Sequence, residues 1–115
     1  MKTAAAISLA IVLAGCATPA ELRRDGVRTD YTLRLPPAQA ARCMVRNAEE
    51  FWGALHATVR DSDTSSVFEV QVRANEQLAA IAEITAKGKG AITTIWNSRI
   101  MLFAQGLPDA MVGGC

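Results

Sequence analysis

The chain has 115 residues, 12 of them basic and 11 acidic, and half of its side chains are apolar. That length allows one small domain with a two-layer core. A charge balance so close to neutral supplies no field to steer nucleic acid or an anionic surface, which excludes nucleic-acid binding as a reading.

Residues 1–15 read as a leader. Lys2 is their only charge, and Ala4 to Leu13 form an apolar run of about ten residues, suited to a signal peptide and too short to span a bilayer as a helix. The leader ends in Leu13-Ala14-Gly15-Cys16. This stretch resembles the lipobox of bacterial lipoproteins: Leu, two small residues, then Cys. The resemblance implies that Leu13, Ala14 and Gly15 are recognised by a signal peptidase. It implies too that the Cys16 thiol takes a diacylglyceryl group and that residues 1–15 are removed, leaving the Cys16 amine free for acylation, for example by palmitate. Each buried methylene of such chains adds about 0.8 kcal/mol of membrane affinity, so two or three chains on one Cys anchor stably. By the enteric sorting rule, Ala17 in place of Asp implies the outer membrane, with the domain facing the periplasm. The competing readings are an ordinary secretory peptide cut at an Ala-x-Ala-like site and an apolar N-terminal helix with a chance Cys.

Residues 16–30 then read as the lipidated Cys and a flexible tether, being polar, without sustained apolar period, and broken by Pro19 and Gly26. The domain is expected over 31–115. Tyr31 to Leu35 alternates as a strand, with Tyr31, Leu33 and Leu35 on one face. Pro36 and Pro37 stop it, and Pro37 suits the first turn of a helix over 38–52. Met44, Val45, Ala48, Phe51 and Trp52 fall at helical spacing, and Gly53 closes the helix. From Ala54 the period becomes two. Leu55, Ala57 and Val59, then Phe68, Val70 and Val72, make a hairpin around the polar turn 61–65. A third strand runs from Leu78 to Lys87, with Ala80, Ala82, Ile84 and Ala86 inward. Lys87-Gly-Lys-Gly90 turns it, and Ala91 to Asn97 makes the next strand. Residues 98–106 read either as more strand or as a helix start, and 108–112 as a short helix. The fold class expected is α+β: a two-layer sandwich of four to five antiparallel strands on one main helix, with a short C-terminal helix and one wet sheet face.

With Cys16 lipidated, Cys43 and Cys115 are left as an even pair in an oxidising compartment, which favours a disulfide, the alternative being free Cys buried as small hydrophobes. His56 lies on the polar face of a strand. No His or Cys spacing supports a metal site, and no cofactor motif is present. A Cys–His nucleophile pair would need Cys43 free. Trp52 and Trp96 read as core or as a binding surface. The layout also resembles a loose group of small proteobacterial lipoproteins of unknown function, through Cys43 within Ala-Ala-Arg-Cys-Met-Val and through Cys115; the resemblance supports the fold and the disulfide and implies no activity. The leading functional expectation is a non-enzymatic, membrane-anchored binding or assembly module with an envelope protein as partner. The rivals are a small periplasmic ligand-binding protein or enzyme, and a lytic or toxic small lipoprotein.

Overall fold

A computed structural model describes residues 18–61 and 67–115. Leu13, Ala14, Gly15 and Cys16, and most of the turn expected at 61–65, lie outside the described residues. The elements in chain order are α1 (Pro19–Asp25), β1 (Val27–Leu33), α2 (Pro37–Phe51), β2 (Leu55–Asp61), β3 (Val67–Ala74), β4 (Gln77–Lys87), β5 (Gly90–Asn97), a 3-10 turn (Leu102–Gln105) and α3 (Leu107–Val112). The five strands form one antiparallel sheet in the order β1-β5-β4-β3-β2. α2 packs on one face, giving the expected α+β sandwich.

The stretch expected to be a tether is folded from residue 18 onward. The Thr18 side chain accepts from the Glu21 amide at 3.2 Å, Pro19 opens the helix, Glu21 lies in the first turn and Arg23 and Arg24 in the last. Each of these favours a helix end by capping or by the helix dipole. A seven-residue helix is still too short to stand alone. Tertiary burial completes it: Leu22 packs on Leu78 and Ile81, with Trp96 against the same cluster. Strand β1 likewise begins at Val27, where the chain pairs with Asn97, and ends at Leu33 rather than Leu35.

α1 lies on the sheet face opposite α2, so the face expected to be wet is partly covered. A register irregularity makes this possible. Val72 pairs with Ala80 and Arg73 with Leu78, leaving Ala79 as an extra residue. Such a bulge reverses the side-chain alternation. Leu78 therefore turns toward α1, while Ala80, Ala82 and Ile84 face α2 as expected; Ala86 lies exposed at the strand end.

On α2 the buried stripe is Ala40, Ala41, Cys43, Met44 and Ala48. It is rotated from the expected one, leaving Val45 partly covered and Phe51 and Trp52 at the surface. The facing sheet positions include Ala57, Ala74, Ala80 and Ala82. Small residues on both layers let helix and sheet approach closely, so the helix seats on alanine, not on its aromatic end. Met111 and Leu107 of α3, with Val70, Val72, Ile84 and Ile95, complete the core.

Residues 98–106 continue neither the strand nor a regular helix. Asn97 is buried, and its amide donates to the Ala104 carbonyl at 2.9 Å, closing the chain into the 3-10 turn. Leu107 and Met111 then anchor α3 in the core. At its end Cys115 forms a disulfide with Cys43, across 72 residues and with Cα atoms 5.9 Å apart. Among the described residues no helix is long and apolar enough to cross a membrane.

Candidate functional site

The apolar end of α2 and the segment leading into the 3-10 turn carry four of the six large hydrophobic side chains exposed among the described residues. At Trp52 the backbone leaves helical geometry (φ −155°, ψ 125°) and its carbonyl accepts from the Leu55 amide at 2.9 Å. The indole is thereby turned off the helix and onto Phe103 of the 3-10 turn, with ring centroids 4.7 Å apart and planes inclined by 54°. Phe51 lies beside Gly106. Phe51 is 40% exposed, Trp52 46% and Leu102 of the 3-10 turn 88%. Ile100, in the loop before it, is 79% exposed. Phe51 and Trp52 are left in water near the exposed Ile100 and Leu102, while Phe103, on which Trp52 rests, is partly buried against the core; such a composition is that of a protein-binding hot spot. Trp52 thus belongs to a surface.

Trp96 does not. It is partly buried under α1, with the Arg23 guanidinium 5.5 Å and that of Arg28 5.9 Å from its ring centroid. Arg23 also bridges Glu69 at 2.9 Å and Glu83 at 3.0 Å. Those two glutamates are directly opposed on β3 and β4. Two like charges in that position repel, and Arg23 lies between them. Sequence pattern hides this cluster because residues 16–30 read as a tether that includes Arg23; the opposed Glu69 and Glu83, visible once the hairpin register is set, are the available signal.

The groups singled out for chemistry are dispersed. Cys43 is held in the disulfide, so its thiol is not free to pair with His56. The His56 side chain is 78% exposed, and its Nδ1 is 3.9 Å from Glu49 Oε2. Among the described residues no cluster of His, Cys, Asp or Glu is arranged to hold a metal ion. Lys87–Gly90 is the β4–β5 turn, with Gly88 at φ +58°, a left-handed value suited to glycine.

Around the disulfide, Asn47 is a clamp that the sequence did not flag. Its Nδ2 donates to the carbonyls of Met111 and Gly113, each at 2.9 Å. The Cys115 main-chain oxygen accepts from the amides of Arg34 at 3.1 Å and Leu35 at 2.8 Å. Nearby, Tyr31 Oη donates to Asp109 Oδ1 at 2.6 Å, tying α3 to β1. Partial burial, and then this bond to a carboxylate, push the phenol pKa up to about 12. Asp30 is held below its usual range, first by the Thr94 hydroxyl, which donates to it at 2.7 Å.

On the far side of α2 lies an open groove of about 450 Å³ between the helix and β2, lined by Arg42, Val45, Arg46, Glu49, Glu50 and Val59. Its floor is apolar and its rim carries both signs of charge. His56 is not part of its lining. In comparisons with known proteins, no family model, no curated protein and no solved structure matches the chain.

Proposed function

We propose that the protein is a lipid-anchored, non-enzymatic component of the bacterial cell envelope. Cys16 carries the lipid, and the folded domain binds an envelope protein through Phe51, Trp52, Leu102 and Phe103. The single observation that supports binding is that exposed aromatic and aliphatic cluster. Anchoring rests on Leu13-Ala14-Gly15-Cys16, and the periplasmic side of the membrane on that motif together with a disulfide, which persists in an oxidising compartment. Outer-membrane sorting rests on Ala17.

The anchor sits close to the fold. Only Ala17 separates Cys16 from Thr18, the N-cap of α1. At about 3.5 Å per residue the reach is roughly 7 Å. In this reading the start of α1 is held close to the bilayer surface.

Two separate readouts test the proposal. Parent and Cys16→Ser are expressed side by side: the parent incorporates labelled palmitate and fractionates with membranes, and the variant does neither. Identical behaviour of the two would remove the anchor. For the partner, in-cell cross-linking followed by pull-down is compared between the parent and a Trp52→Ala/Leu102→Glu variant. A specific cross-linked species present in the first and lost in the second is expected; the same species in both would remove the aromatic surface as the binding site.

A further inference from the structure

β2 is a terminal strand of the sheet, and the direction of its backbone groups can be assigned. The Leu55 amide donates to Trp52 O at 2.9 Å and the Ala57 amide to Glu49 Oε2 at 3.3 Å, so neither donates to β3. In an antiparallel ladder alternate residues turn their N–H and C=O to the same side. Val59 and Asp61 therefore also present theirs to the open edge, where no described strand pairs with them. Beside this edge runs the charged flank of α2, and its charges are ordered. Arg42 and Arg46 come first and Glu49 and Glu50 last, with Val45 and the 41% exposed Val59 between helix and strand. Because β2 runs back along α2, the basic half flanks Val59 and the acidic half flanks Ala57.

We propose that the occupant of this edge is a second copy of the chain, with β2 paired to β2 antiparallel about a two-fold axis at Thr58, midway between the basic and acidic halves of the rim. The charge order argues for it. An acidic or a basic peptide would be repelled by half of the rim, whereas a two-fold reversal sets Arg42 and Arg46 of each copy opposite Glu50 and Glu49 of the other. The register follows from the backbone. Thr58 turns its backbone groups to β3, so it forms the non-hydrogen-bonded central pair, and the outward-facing Ala57 and Val59 on either side exchange reciprocal N–H···O=C bonds with Val59 and Ala57 of the other copy, the Ala57 amide leaving Glu49 Oε2 to do so. On the outer face the two Thr58 side chains meet. An axis at Val59 would set the basic half of each rim against the other, and an axis at Arg60 would oppose two arginines. The two valines of each copy lie on either side of the axis. β2 also has neither Pro nor Lys, residues that commonly keep an edge strand unpaired.

The test is sedimentation of the full chain in detergent micelles over a range of protein concentration. A reversible dimer is expected for the parent. Arg42→Glu/Arg46→Glu makes the rim acidic, Glu50→Lys makes it mainly basic, and Val59→Lys places an ammonium group on each side of the axis. Each should weaken self-association by about tenfold or more, while circular dichroism shows the fold retained. A mixture of the Arg42→Glu/Arg46→Glu chain with the Glu50→Lys chain should associate more tightly than either alone. A parent that stays monomeric throughout, a dimer indifferent to all three variants, or a mixture no tighter than its components overturns the proposal.

Discussion

Breaking the Cys43–Cys115 bond is expected to remove a large part of the domain's stability. The bond spans 72 residues. In the chain-entropy model, closing a loop of that length restricts the unfolded ensemble by about 4 kcal/mol at 25 °C. Domains of this size are stable by only about 5–15 kcal/mol, so Cys43→Ala should lower the melting temperature by roughly 20 °C. The effect has a local component as well. With the terminal residue untied, the Asn47 bonds to Met111 and Gly113, and the bonds from Arg34 and Leu35 to Cys115, are left to hold the end alone. The assay is urea unfolding of the parent, oxidised and reduced, beside Cys43→Ala, Cys115→Ala and the double variant. Because the term belongs to the cross-link, all three variants and the reduced parent should lose the same amount. A loss below about 1 kcal/mol would refute the entropic reasoning. Detection of two reactive thiols at Cys43 and Cys115 in the unreduced protein would refute the bond itself.

Arg23→Ala should destabilise by about 2 kcal/mol, combining two partly exposed ion pairs, a cation–π contact and the repulsion left between Glu69 and Glu83. Part of the loss should return at high salt or on adding Glu69→Gln, and an unchanged urea midpoint would show that α1 is not held this way. Tyr31 is the only tyrosine in the chain, so its ultraviolet titration reads one group. Its native pKa is raised to about 12 from 10.0. The folded state therefore holds the proton more tightly: the contribution is complete below pH 10 and is lost as pH rises through 12. Asp109→Ala should lower the midpoint without returning it fully to 10, because burial is the larger cause; a native midpoint of 10 would contradict the Tyr31–Asp109 geometry.

Local pattern was a good guide wherever one face of an element meets one partner. The alternations at Leu55–Val59 and Val70–Val72 place β2 and β3, and Pro37 opens α2. Pattern failed where a residue's surroundings come from a distant part of the chain. α1 carries its own capping signals, yet what holds it is Leu22 against Leu78 and Ile81, and that contact depends on the extra residue at Ala79. Phe51 and Trp52 fit the helical period of α2, but the alanine-lined sheet admits the Ala40–Met44–Ala48 stripe instead. Asn47 is an unremarkable helix residue until α3 brings two carbonyls to it.

Sequence by itself determined the α+β class, the single main helix, most strand positions and the candidate pairing of Cys43 with Cys115, because these follow from residue periodicity, turn chemistry and cysteine number. It also supplies the whole argument for Cys16. Only the tertiary structure decided that the chain is already folded at Thr18, that α1 covers part of the second sheet face, that Trp96 is packed and Trp52 exposed, and that β2 is left as an open edge beside ordered charges. Those are properties of which surfaces meet, and a hydrophobic side chain's period does not say which neighbour will have room for it.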